Sequence, residues 1–235
     1  DASEIEDKTR RGECFLNANG SYTWNKSVGQ QYFMEKAKEY GCDQFILFAG
    51  TPPVYYTKNG KGWSSSGESA NLKDDCYDDY ADFLATVAQH FTDEGYNISL
   101  ISPVNEPEFD WTGGQEGSGW RNSEVARLAK ELDAKLTEKG LANTKMLLAE
   151  AAKWYFLYER GDAGNNRGDV IREYFDPSSY NYIGNLEHMP NIICGHSYWT
   201  DMTWNTLYDY RSKVHEAAKK YDLKVYQTEW SMMTE

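Results

Sequence analysis

Two glutamates stand where an apolar run gives way to polar and aromatic sequence. Glu106 lies in Pro103-Val-Asn-Glu-Pro, and Glu229 lies in Tyr226-Gln-Thr-Glu-Trp. A carboxylate emerging from a buried run is costly unless it is solvated, paired or used. Two such groups across one cleft can hydrolyse a glycosidic bond. One protonates the leaving oxygen and later activates water. The other attacks the anomeric carbon if the separation is about 5 Å, or activates water if it is wider. Glu106 has the more apolar neighbours, Pro107, Phe109 and Trp111, which suits the acid and leaves Glu229 as the ionised nucleophile. Asn105 is placed to hydrogen-bond a sugar hydroxyl beside the scissile bond.

Other chemistries lack their residues. The four histidines, His90, His188, His196 and His215, show neither an HExxH motif nor paired spacing, which argues against a zinc hydrolase. No GxSxG elbow supplies a nucleophilic serine, and no Walker loop cradles a phosphate. Cys14, Cys42, Cys76 and Cys194 form no CxxC pair. Cys42 and Cys194 lie beside or within apolar runs, and a Cys14–Cys76 bridge is one open pairing. Glu187-His188 reads as surface. Glu150 ends another apolar run, where a structural role and a substrate contact are equally open.

The elements that position these residues alternate. Gln44 to Ala49, Ile98 to Val104, Met146 to Ala149, Ile192 to Cys194 and Lys224 to Thr228 are short apolar runs. Such runs suit strands buried on both faces of a parallel sheet. Between them, Gln30–Tyr40, Asp75–Thr92, Ser123–Lys139 and Leu207–Tyr221 carry helical spacing. Ser123 stands as a capping residue, and Gly41 and Gly140 as stops. Strands alternating with helices predict a parallel α/β fold. Five strand ends present polar or aromatic groups, as in a (β/α)8 TIM barrel, whereas a doubly wound sheet gathers its site at one switch point. A barrel needs eight strands. The expectation is therefore a partial (β/α)8 catalytic barrel over residues 1–235, with two strands before residue 1 and one after Glu235.

The 235 residues include 24 basic and 37 acidic side chains, a net charge of −13. That balance argues against a nucleic-acid partner, which needs a basic face, and against an anionic membrane surface. No stretch of about 18 apolar residues predicts a membrane span. Eight Trp, eighteen Tyr and nine Phe supply rings for a core or for the walls of a sugar cleft. Asn19, Asn25 and Asn97 head formal glycosylation sequons, meaningful in a secreted eukaryotic protein.

Val104-Asn-Glu-Pro, His196-Ser-Tyr and Thr228-Glu-Trp, in this order, resemble the clan A retaining glycoside hydrolases, and within them glycoside hydrolase family 30. The resemblance runs from strand three to strand seven of the barrel. It implies a (β/α)8 barrel with an appended β-sandwich outside this sequence. It implies Glu106 as acid/base and Glu229 as nucleophile, with His196 and Tyr198 after strand six and Tyr198 near the nucleophile. Asn105, Trp111, His196, Tyr198 and Trp230 are the expected substrate-binding residues. Glu108-Phe-Asp-Trp-Thr-Gly-Gly-Gln-Glu-Gly looks most like the endo-β-1,6-galactanase branch. One departure is Gly50-Thr-Pro-Pro, where many members carry Trp-Ser-Pro-Pro; Tyr55, Tyr56 and Trp63 are candidate replacements for that ring. The implied substrate is a neutral β-linked glycan, most simply a β-1,6-galactan. The alternatives are β-1,6-glucan, β-glucosyl or xylan substrates, or a non-catalytic carbohydrate-binding barrel. No metal or organic cofactor is implied, and polysaccharide cleavage points to a secreted or cell-surface protein.

Overall fold

A computed structural model describes residues 12–67, 69–164 and 166–231. The strands are β1 (Phe45–Phe48), β2 (Ile98–Ser102), β3 (Lys145–Met146), β4 (Ile192–His196) and β5 (Lys224–Glu229). The helices are α1 (Val28–Glu39), α2 (Tyr77–Asp93), α3 (Asn122–Glu138), the short α4 (Val170–Phe175) and α5 (Trp204–Lys219). β1, β2 and β3 pair in parallel in that order, and β4 pairs in parallel with β5. The chain beyond β3 joins the two sheets. Cys194 N donates to Leu148 O at 3.0 Å, and His196 N donates to Ala151 O at 2.8 Å. The five strands thus lie side by side in sequence order. With no reversal of order there is no switch point, and the strand ends form one continuous rim.

The core lies between strands and helices. α2 turns Tyr80, Leu84, Val87, Ala88 and Phe91 inward, and α3 turns Leu128, Ala129, Leu132 and Leu136 inward. These stripes meet Ile98, Ile101, Met146 and Ile193 from the strands. Each fully buried Leu or Ile contributes roughly 1.5–3 kcal/mol of transfer free energy. The middle of the arc is therefore its rigid part, and Glu106 and Glu150 emerge from it.

The outer strands differ from expectation. Gln44–Ala49 reads as a strand buried on both faces, yet β1 alternates, with Ile46 and Phe48 about half exposed. β5 is exposed along its first four residues. α1 buries no residue, and its following Tyr40 is 91% exposed. An outermost strand has one neighbour rather than two, and a run of apolar residues does not say how many neighbours it has. Other corrections are local. Ser123 sits inside α3, whose first turn is closed by Glu124 accepting from Arg121 N at 2.8 Å. Cys42 is exposed while Cys194 is buried, and all four cysteines are free thiols. His188 is fully buried, with Nδ1 2.7 Å from Thr144 O, because the chain tucks beneath β3 there. α4 carries no distinct sequence pattern and was absent from the expected helices.

Candidate active site

The rim of the strands opens into a cleft of about 980 Å³, lined in part by Asn105, Glu106, Trp111, Tyr198 and Glu229. The backbone turns sharply to reach it. Glu106, Trp111, Glu150 and Trp199 all have φ between 39° and 55°. L-residues adopt that left-handed conformation at a cost, and it gathers at functional sites. Glu106 N donates to Glu150 O at 2.9 Å, stitching the turn after β2 to the end of the β3 segment. Trp111 Nε1 donates to Glu106 O at 3.1 Å, so the indole braces the same turn.

At the centre is His196, the last residue of β4, with no exposed surface. Its Nδ1 lies 2.8 Å from Glu106 Oε1, and its Nε2 lies 3.1 Å from Glu150 Oε2. Glu229 Oε2 is 3.7 Å from the same Nδ1. Burial opposes a charged imidazole. The hydrogen bonds to Glu106 and Glu150 and the charge of Glu229 outweigh it and push the pKa up to about 9. The three carboxyl groups around it thus favour the charged form of His196.

Glu229 takes a second partner, accepting from Tyr198 Oη at 3.1 Å. Burial and the adjacent Glu229 charge raise the Tyr198 pKa, keeping the phenol a donor. Glu106, His196 and Glu229 each offer an atom within 4.8 Å of the other two. One oxygen of each catalytic candidate therefore lies within 4.8 Å of the other. That spacing is near the separation of a nucleophile and its acid/base partner, and shorter than the wider gap of an inverting pair. The same three residues could approach a cation, but both His196 nitrogens are committed to carboxylates.

The sequence-predicted residues separate into two groups. Asn105, Glu106, Trp111, Tyr198 and Glu229 are brought together on the cleft, and Asn105 Oδ1 is buried without a partner there. His196 is not on the cleft wall: the strand pairing draws it inward, where it bonds carboxylates and not an open subsite. Trp230 is half exposed, lies outside the lining, and its indole N–H donates to Asp201. Tyr55, Tyr56 and Trp63 do not line the cleft either; Phe48 and Gly50 occupy that side.

Sequence reasoning left two further residues unassigned. Glu150 is buried, holds His196 and accepts from the Thr228 hydroxyl. It ends an apolar run just as Glu106 and Glu229 do, and that signal was available. Glu108 is also buried, accepting from Ala152 N at 3.2 Å, and burial pushes its pKa up to about 7. It has no comparable sequence signal.

Comparison with known proteins follows the same line. The family described as O-glycosyl hydrolase family 30 matches residues 1–235. An endo-β-1,6-galactanase of Hypocrea rufa is 31% identical over 131 residues, 54% of this chain and 27% of that protein. A conserved exported protein from Bacteroides fragilis superimposes with a TM-score of 0.94 at 29% identity, over 98% of this chain and 48% of its own. The endo-β-1,6-glucanase BT3312 superimposes with a TM-score of 0.62 at 20% identity, over 93% of this chain and 44% of its own. The chain thus spans about half the length of these solved structures and about a quarter of the galactanase.

Proposed function

The chain belongs to O-glycosyl hydrolase family 30, and on that premise we propose that it carries the catalytic centre of a retaining glycoside hydrolase acting on a β-linked, neutral glycan. The observation that carries this reading is the approach of Glu106 and Glu229 to within 4.8 Å at one cleft. Glu106 protonates the leaving oxygen while Glu229 attacks the anomeric carbon. Water, deprotonated by Glu106, then releases the sugar from Glu229. Tyr198 holds the Glu229 oxygen from which it is 3.1 Å distant. Asn105 lines the cleft beside Glu106, where its side chain is assigned to a sugar hydroxyl.

A neutral substrate is favoured by charge. Glu106, Asp110, Glu116 and Glu229 line the cleft, and among the described lining residues there is no lysine or arginine. Asp110 already pairs with Arg167, and a uronic acid would meet the carboxylates of Glu106, Glu116 and Glu229. Exposed Phe109 and Trp199 at the cleft offer faces to sugar C–H surfaces. Within this class β-1,6-galactan is the substrate we assign, supported by the Hypocrea rufa relative. The exposure of β1 and β5 supports the reading of a (β/α)8 barrel that further strands complete. Action on an extracellular polysaccharide places the protein outside the cytoplasm.

The test is turnover of β-1,6-galactan by Glu106→Gln and Glu229→Gln variants of the intact protein. Each is expected to lose at least about 10²-fold in kcat, the lower range of acid–base contributions, while still binding the glycan. Full turnover in either variant would remove the role assigned to that residue.

A further inference from the structure

A general acid has two oxygens, and its proton must sit on the one that faces the substrate. In this site Glu106 Oε1 is 2.8 Å from His196 Nδ1. A donor at Nδ1 keeps Oε1 an acceptor and leaves Oε2 to carry the transferable proton. A bare Nδ1 would do the opposite, drawing the proton of Glu106 onto Oε1 and toward the core. The useful arrangement therefore requires an N–H at Nδ1, and something must enforce it.

Glu150 sits on the other side of the ring, 3.1 Å from Nε2. An ionised carboxylate can only accept, so Nε2 must donate to it. A neutral imidazole that donates from Nε2 has a bare Nδ1. The N–H needed at Nδ1 therefore survives only if the ring is doubly protonated, and the charge of Glu150 favours that state. Thr228, one residue before Glu229, donates its hydroxyl to the Glu150 oxygen that meets His196. Glu150 is buried and lies outside the cleft lining, so its chemistry acts through other side chains.

Every element around the ring contributes a group. Glu106 comes from the turn after β2, Glu150 from the end of the β3 segment, and Tyr198 from just beyond β4. Glu229 ends β5, and buried Glu108 lies behind the same turn as Glu106. Cys194, in β4 itself, accepts from Glu150 N at 3.2 Å. The charge balance is compatible with turnover. As Glu229 becomes an ester it loses its negative charge, and Glu106 gains one as its proton leaves. Both oxygens lie within 3.7 Å of His196 Nδ1, so one cation faces the charge before and after transfer.

We propose that Glu150 is a positioning residue that keeps His196 doubly protonated and thereby directs the acid proton of Glu106 toward the substrate. This rests on the glycosidase reading above. The measurement that tests it is the leaving-group dependence of kcat/KM in Glu150→Gln, compared with Glu106→Gln. A glutamine at 150 can still accept from Nε2 but supplies no charge. The ring thereby loses the carboxylate that favours its second proton, while Glu106 and Glu229 remain at Nδ1.

The expected result is a loss of about 10²-fold on the natural glycan, whose poor leaving group needs the acid. An aryl glycoside with an acidic phenol needs no protonation, and its loss should be about 10-fold smaller. Glu106→Gln should show the same pattern. A loss equal on both substrates would mean that Glu150 merely supports the fold, and no loss would also overturn the proposal. If Glu106→Gln itself keeps full turnover of the glycan, the acid assignment fails and the positioning with it, an outcome distinct from an unselective loss in Glu150→Gln alone. Should Glu150→Gln not fold, Thr228→Val is the second variant, expected to show the same selectivity at smaller size. ¹⁵N resonances of His196 supply a readout free of turnover: two N–H groups at neutral pH in the native protein and one in Glu150→Gln. A single N–H in the native protein would contradict the inference.

Discussion

At the residue scale the site is organised by charge around one buried imidazolium. His196 binds its proton more tightly in the fold than in the unfolded chain, its pKa rising from 6.5 to about 9. A raised pKa adds stability that is complete below the unfolded value and is lost as pH rises through the folded one. Glu108 behaves alike over a lower range, rising from 4.5 to about 7 through burial. The melting temperature should therefore fall in two stages, from about pH 4.5 to 7 and from about 6.5 to 9. Glu108→Gln should flatten the first stage and spare the second, as read by calorimetry across pH. A melting temperature that rises between pH 7 and 9 would contradict the imidazolium. Glu106 and Glu229 were legible in the sequence because each leaves an apolar run into polar sequence. Glu150 gives the same signal, but its destination beneath the cleft depends on which strands lie beside it. His196 was misplaced for the same reason: pairing of β4 with the β3 segment sets its depth, and no local pattern encodes that.

At the element scale the turn after β2 that carries Glu106 depends on close backbone approach. Trp120 N donates to Pro107 O at 2.9 Å, holding the turn against the segment before α3. A Cβ built on Gly119 would stand 2.7 Å from Gly67 O and 2.9 Å from Phe109 O, both backbone atoms. Neither can move away as a side-chain end would. Gly119→Ala is therefore expected to destabilise the protein by about 1–3 kcal/mol. It should also lower kcat by displacing Glu106, measured by denaturant unfolding and steady-state kinetics. An unchanged midpoint and kcat would show that the turn has more slack than this geometry implies. α2, α3 and β2 followed closely from their spacing, since each buries a stripe that periodicity reveals, whereas the expected strand Met146–Ala149 is paired as β3 only at Lys145–Met146. β1 and β5 lie where their runs predict them but are more exposed than expected, because the neighbours of an outer strand are set by the whole sheet.

At the scale of the whole molecule, exposed apolar residues gather at the two ends of the strand order. Tyr32, Phe33, Ile46 and Phe48 lie at the β1 end, and Trp204, Tyr208, Val225 and Tyr226 at the β5 end. Unpaired strand edges carrying apolar side chains invite association. Residues 1–235 produced alone are expected to self-associate on size-exclusion chromatography, and covering these edges with the further strands proposed above should suppress it. Monomeric, cooperatively unfolding behaviour of the isolated piece would refute the need for those strands. The parallel order was legible from the alternation of runs and helices, and the strand-end motifs were legible from their residues. The central claim, that Glu229 attacks while Glu106 protonates, is tested most directly by the anomer of the first product released from a β-linked glycan. Followed by proton NMR before mutarotation, it should be the β anomer, as two successive inversions require. Release of the α anomer first would contradict the double displacement and the role given to Glu229.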